Sequence, residues 1–515
     1  VASAKTIYVP DDYAKIQWAV DSASDGDTII VRDGTYYESV VVNKQLTIKS
    51  DKGPNNCIVN GSGSDVFTIE ADGIRIEGFT ITGGGHGIHI RLNKNTIINN
   101  NIISNNDYGI YLCHSNNNSI SNNDIISNKY DGIDLEYSSN NSISSNNISS
   151  NKYGIYIDDS NNNSISNNNI SSNNWFGIIL WLSNENTIRK NEIINDGLFV
   201  KCSYSNIVEN NTVNGKPLVY LEGKSDEFID NAGQVILVKC RNITVMNSEL
   251  TNTDVGIELW QSDNCLISNS NISNNWVGID LHYSNNNSIS NNNICSNSRY
   301  SISLYESNNN IIYMNNFINN TYNTYSYDST NIWNSTEKIT YTYRGSEFTN
   351  YMGNYWDDYN GSDTNGDGIG DTPHIIDENN IDNYPLIERF ENYFRSKKVQ
   401  IFDTGRPENP YPSISGEFVG TIKTNTKIIA TKLYTYACEG TGGHTEHALI
   451  CNSSWCAEAK WDGYKGDWMN TSFNKTVILM PYETYNITII TGSYPQIHHT
   501  HSLKTENGWI NCTEF

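Results

Sequence analysis

Tyr108-Gly109-Ile110-Tyr111-Leu112, Asp131-Gly132-Ile133-Asp134-Leu135-Glu136 and Tyr153-Gly154-Ile155-Tyr156-Ile157-Asp158 are one phrase written three times. Its Gly-Ile pair recurs every 22 or 23 residues, at Gly87, Gly109, Gly132, Gly154 and Gly177, and resumes at Gly256 and Gly278. A fixed period of this size marks a solenoid. After each phrase come a polar Asn/Ser run, then Asn-Ser-Ile-Ser-Asn-Asn, then a second short Ile segment such as Asn169-Ile170-Ser171. Each apolar run is short and alternating, which fits a strand and is too brief for a helix. Three short strands joined by Asn-rich turns make one coil of a parallel β-helix.

Outward from this core, residues 39–320 read as the shaft, with a slip of the period between Gly215 and Gly233 where an insertion is expected to loop out. Roughly a dozen coils at about 4.8 Å per strand spacing predict a rod on the order of 55 Å long. Residues 1–38 read as a cap: a strand, a helix start at Pro10-Asp11, and a short amphipathic helix with Ile16, Ala19, Val20 and Ala23 on one face. Such a plug would cover the open edge of the first coil. Residues 321–395 read as decaying terminal coils. From 396 to 515 alternating runs such as Lys475-Thr476-Val477-Ile478-Leu479 indicate a separate antiparallel, β-sandwich-like module.

Composition narrows the function classes. The chain of 515 residues is only 37% hydrophobic, which a solenoid tolerates because each coil contacts only its neighbours. A net charge of -24 without a Lys/Arg cluster argues against nucleic acid and anionic membrane surfaces. No stretch approaches 18 consecutive apolar residues, so no membrane span is expected. The start at Val1 rather than Met leads us to expect a processed, exported protein, and Phe515 is open to being a processed or truncated end.

Ten cysteines form no CxxC motif. They are compatible with disulfides in an oxidising compartment, with Cys438–Cys512 and Cys451–Cys456 the better pairs, and equally with buried free thiols in the shaft. Eighteen Asn-x-Ser/Thr sequons predict N-linked glycans on an extracellular surface. Asn117, Asn140, Asn162 and Asn286 also suit β-helix turns, because Asn tolerates left-handed backbone and bonds neighbouring amides. Asn334, Asn452, Asn470, Asn474, Asn486 and Asn511 lie outside the repeat.

Three constellations carry chemistry. Asp363, Asn365, Asp367, the Ile369 carbonyl and Asp371 alternate oxygen ligands with glycines, a spacing that suits Ca²⁺ as a structural ion. Position twelve is His374 rather than Glu, so Asp377, Asp382 or water is needed to complete the shell. An Asp-Gly turn without metal is the plain alternative. His444, His447, His499 and His501 could converge on Zn²⁺ or Cu²⁺, or be solvated loop residues. On the shaft, outward columns run Tyr111, Asp134, Tyr156, Ile179 and Glu136, Asp158, Trp181, followed later by Glu258, Asp280 and by Trp260, His282, Tyr305. Aromatic rings beside carboxylates suit carbohydrate, and Glu136 with Asp158 could act as an acid/base pair.

The shaft with Gly353-Asn354-Tyr355-Trp356-Asp357-Asp358-Tyr359 and Asp382-Asn383-Tyr384-Pro385-Leu386 resembles the right-handed β-helix proteins of the NosD/CASH type found on archaeal cell surfaces. The opening segment is similar to that of pectate-lyase-like β-helices. The tail, from Ile401-Phe402-Asp403-Thr404-Gly405 through Asn507-Gly508-Trp509-Ile510-Asn511-Cys512, resembles a module appended to such archaeal proteins. The resemblance implies fold and exterior location better than activity, since these shafts serve as scaffolds, carbohydrate binders and enzymes alike. The expectation is a non-catalytic structural or adhesive envelope glycoprotein. Its dissimilar ends would permit head-to-tail self-association into filaments. The alternative is a polysaccharide lyase or glycoside hydrolase, or a carbohydrate binder without turnover, working on the acidic, aromatic face.

Overall fold

The computed structural model describes residues 4–104, 106–394, 416–425, 427–434, 445–461, 470–491, 502–505 and 508–512. The chain divides into two units, Val1–Phe394 and Arg395–Phe515.

In the first unit the repeat winds into a parallel β-solenoid, part of about 15 turns in all. Three strands per coil feed three parallel sheets. One runs through ten strands from Thr6–Val9 to Ile207–Glu209, and a second through eight from Val40–Val42 to Leu198–Lys201. The third begins at Gly34–Tyr37. Like residues stack: Ile110, Ile133, Ile155 and Ile178 follow one another in register. Each is fully buried, and each contributes about 1.5–3 kcal/mol of apolar burial.

Between strands, buried asparagines form ladders. The amide of Asn123 donates to Asn146, Asn146 to Asn168, and Asn168 to Asn191, each at 3.0 Å. The repeated glycine has a steric cause. A Cβ on Gly109 would lie 2.4 Å from the Gly132 carbonyl of the next coil and 2.8 Å from the buried Ile125. Glycine and isoleucine therefore both face inward at a corner, and the residues on either side of the pair both stand outward.

The segment after Gly215 does not loop out. Thr212–Val213 turns through Asn214-Gly215 and pairs antiparallel with Lys216–Glu222, which then pairs parallel with Gln234–Val238. Here the third sheet runs on as the first sheet of a second shaft, through Val255–Trp260, Val277–His282, Tyr300–Tyr305 and Tyr322–Tyr327. The period slips because the solenoid turns a corner.

The corner also covers an edge. The side chain of Gln234 accepts the Leu198 N–H at 3.0 Å and donates to the Leu198 carbonyl at 2.8 Å. Glu258 accepts the Val200 N–H, and Asp254 accepts those of Gly177 and Gly197. Outward side chains of the second shaft thus stand in for the missing next strand.

Both ends of the solenoid are plugged. The N-terminal helix spans Ile16–Ser22, starting later than Pro10 suggested, because Tyr8 to Tyr13 are held in a turn. It buries Ile16, Ala19 and Val20, and the Glu38 carboxylate accepts the Ile16 and Gln17 amides at its start. At the other end Trp356 stacks on Phe317 at 4.2 Å beside Trp333, with all three rings buried.

The second unit, taken by itself, is one antiparallel sheet curved as a half-barrel, where the sequence pointed to a sandwich-like module. Its described strands run in the spatial order Ile428–Tyr434, Asn470–Leu479, Cys456–Lys460, Thr445–Cys451, Thr484–Thr491, Gly416–Thr424, Gly508–Cys512, Ser502–Thr505. Cys451 and Cys456 are disulfide-bonded across a hairpin. Cys438, His444, His498, His499 and His501 lie outside the described residues.

Candidate functional site

The inward Gly-Ile corner gives the eight-stranded sheet three outward columns. The first runs His86, Tyr108, Asp131, Tyr153, Phe176, and the second His89, Tyr111, Asp134, Tyr156, Ile179. The third runs Cys113, Glu136, Asp158, Trp181. Sequence reasoning missed the first, because strict alternation assigns the residue before glycine no outward place. The x-Gly-Ile-x spacing carried that signal.

At the centre of this face sit four carboxylates. Glu136 and Asp158 are register partners on adjacent strands, and the Tyr111 hydroxyl donates to Glu136. Asp131 and Asp134 are 6% and 9% exposed, and one oxygen of each is buried without a hydrogen-bond partner, as is one of Asp158. Burial pushes Asp131 up to about 7. Asp134 rises to about 8 through burial, reinforced by the charges of Asp131, Glu136 and Asp158. Burial raises Asp158 as well. At neutral pH this patch mixes protonated and ionised carboxyls, so it can both donate and accept hydrogen bonds.

Beyond the carboxylates the columns turn aromatic, and the second shaft meets them at the corner. Together they enclose a cleft of about 380 Å³ whose walls include Tyr156, Trp181 and Phe176 from one shaft and Trp276, Arg299 and Tyr300 from the other. Phe176 meets Trp276 edge-on at 4.8 Å, and Lys201 lies over Trp181 at 4.3 Å. On the second shaft Trp260, His282, Tyr305 and Tyr327 stack in one continuous column. The arrangement offers flat apolar faces and polar groups within one concavity.

The Asp363–Asp371 loop folds onto its own amides. Asp363 accepts the Asp367 and Gly368 N–H groups, Asn365 accepts that of Asp367, and Asp371 accepts Thr364 N–H and the Ser362 hydroxyl. Asp382 is bound elsewhere: it takes the Trp356 indole N–H at 2.9 Å and the Asn354 and Tyr384 amides, and burial lifts it to about 6. Asp377 accepts from Asn379 and Asn380. The oxygens of both acids are thus taken up by donors outside the loop. His447 of the second unit pairs with Glu458 at 2.7 Å.

The sequence matches the family described as periplasmic copper-binding protein (NosD) over residues 20–196 and 177–361. The chain belongs to the NosD family. Of this NosD chain, 108 residues are 40% identical to a cell surface glycoprotein of the archaeon Methanothermus fervidus; they make up 20% of the chain and 18% of that relative's length. Among solved structures, the AlgE4 A-module of Azotobacter vinelandii mannuronan C-5 epimerase is 15% identical, with 64% of this chain and 97% of that one covered at a TM-score of 0.36. An alginate lyase from Paenibacillus sp. str. FPU-7 is 14% identical, with 63% and 99% covered at 0.31. Likeness of this degree bears on neither substrate nor activity. Among the described residues, no helix of the NosD chain is long and apolar enough to cross a membrane.

Proposed function

We propose that this NosD-family chain is a cell-surface glycoprotein whose shaft binds carbohydrate without turning it over. The observation that carries the reading is the cleft at the corner of the shafts, where indole and phenol faces stand beside Asp280, one of whose oxygens is buried without a hydrogen-bond partner. Sugar rings present apolar C–H faces to such rings and hydroxyls to such oxygens. Burial of the acids and the net charge of -24 favour neutral over polyanionic glycans. Kinship to a cell surface glycoprotein supports the location. Exposed sequon asparagines such as Asn117 and Asn140 support glycosylation. Retention of the protein on a panel of immobilised neutral and acidic polysaccharides tests the reading; no retention on any of them counts against it.

Turnover is the second reading, favoured by Glu136 and Asp158. As register partners they sit on strands about 4.8 Å apart, close to the ~5–5.5 Å carboxyl separation of retaining glycosidases. Reducing-end release that disappears in Glu136→Gln or Asp158→Asn would support it.

Ca²⁺ in the Asp363–Asp371 loop and head-to-tail self-association are further parts of the proposal. The family description also names copper. The donors that suit this ion among the described residues are the imidazoles and carboxylate of His86, His89 and Asp65. The buried thiols suit it less, since burial pushes Cys57 to about 12 and Cys265 to about 11 and so opposes the thiolate that binds metal.

A further inference from the structure

We propose that Asp65, His86 and His89 form a transition-metal site for Cu²⁺ or Zn²⁺ on the outward face of the first shaft, one coil before Tyr108 and Tyr111. The two imidazoles converge on one carboxylate. His86 Nδ1 lies 2.7 Å from Asp65 Oδ1, and His89 Nδ1 lies 3.0 Å from Asp65 Oδ2. Among the described residues this is the group of three such side chains whose ligand atoms all lie within 4.8 Å of one another. Bonds of about 2.0 Å in a tetrahedral centre place ligand atoms about 3.3 Å apart. A modest opening of the trio therefore admits an ion, with the protons between carboxylate and imidazoles released to solvent.

The group is held in place before any ion arrives. The Asp65 carboxylate also accepts the His86 backbone N–H at 3.1 Å. The His86 ring is stacked against both Tyr108 and Tyr111, at 5.2 and 5.0 Å. Exposures of 23% at His86 and Asp65 leave a path for the ion. Two imidazole nitrogens select a borderline transition metal over Ca²⁺ or Mg²⁺, and Cu²⁺ ranks above Zn²⁺. Three protein ligands leave a fourth position open for water or an exogenous donor.

Arg91 sets a limit on affinity. Its Nε donates to His89 Nε2 at 3.3 Å, and a second bond reaches Glu70 at 3.3 Å. When His89 Nδ1 binds metal, Nε2 must carry the proton and can no longer accept from Arg91. Removing the Arg91 side chain is therefore expected to tighten metal binding, whereas a purely structural Asp–His network has no affinity for it to alter.

The test is titration of the full chain, stripped of metal by chelator, with CuCl₂ and ZnCl₂ by calorimetry and Cu²⁺ electron paramagnetic resonance. One equivalent with nitrogen hyperfine structure is expected. His86→Gln/His89→Gln should lose it or weaken it by more than about 100-fold, beyond the effect of losing an outer-shell partner. His447→Gln should keep it, which separates this site from the His447–Glu458 pair. Undiminished Cu²⁺ and Zn²⁺ binding in a folded double variant would overturn the assignment. If that variant does not fold, Arg91→Gln decides: affinity raised several-fold supports the site, and unchanged affinity overturns it.

Discussion

Asn117 and Asn118 are neighbours in sequence with opposite roles, and the difference recurs in the coils that repeat Asn-Asn-Ser. Asn117, Asn140, Asn162 and Asn286 take left-handed backbone at φ of 56–60° and face solvent. Asn118, Asn141, Asn163 and Asn287 are buried and bonded coil to coil, Asn118 to Asn141 at 2.9 Å. The first member of each Asn-Asn-Ser thus stays open to a glycan while the second holds the stack. Glycine at the corner is equally constrained, since a Cβ on Gly132 would lie 2.7 Å from the Gly154 carbonyl. Gly132→Ala is expected to cost about 1–3 kcal/mol by overpacking, read as a lower melting temperature. The acids set a pH dependence. Asp131 and Asp134 titrate near 7 and 8 when folded and near 4 when unfolded, so the folded state binds the extra protons between those limits. The stability they allow is full below about pH 4 and is lost as pH rises through 7 and 8. Asp134→Asn should therefore melt higher than the parent at pH 8.5, with the advantage shrinking toward pH 4. A constant difference across that range would contradict the assignment.

At the scale of elements, the coils were legible because periodicity and steric need coincide: each Gly-Ile pair is both the repeat signal and the inward corner. What was not legible was long-range. Nothing near Gly215 announces that Lys216–Glu222 starts a second shaft, because the decisive contacts join Gln234 to Leu198 and Glu258 to Val200, 36 and 58 residues apart. The central carboxylates and aromatics were visible in part: Glu136, Asp134 and Trp181 follow from alternation. Asp131 and Phe176 needed the corner geometry, and Trp276 and Arg299 the docking of the second shaft. His86 and His89 were missed because three-residue spacing on an ideal strand puts side chains on opposite faces. The edge cap makes its own prediction. Gln234→Leu keeps the volume but leaves the Leu198 N–H and carbonyl unpaired, at about 1–3 kcal/mol per buried group. Hydrogen exchange at Leu198 should accelerate, while Val200, capped by Glu258, and amides near Gly109 stay protected. Equal protection in variant and parent would mean that the edge does not need its cap.

For the molecule as a whole, the proposed surface role is supported by the kinship to a cell surface glycoprotein and by the aromatic cleft. If the Asp363–Asp371 loop holds Ca²⁺, excess EDTA should lower the melting temperature of the first unit, because the loop packs beneath Tyr341 and Tyr393, which bond the Asp367 and Gly368 carbonyls. An unchanged melt would remove the ion from the account. The cleft between the shafts is proposed to bind glycan. The most direct measurement is the dissociation constant of the full chain for the polysaccharide that retains it best, compared between parent, Trp181→Ala, Trp276→Ala and Trp18→Ala, the last an exposed indole on the N-terminal helix. Each cleft variant is expected to bind at least about tenfold more weakly, the loss of 1.4 kcal/mol or more, with Trp18→Ala unchanged. Equal affinity in all four proteins would contradict the proposal.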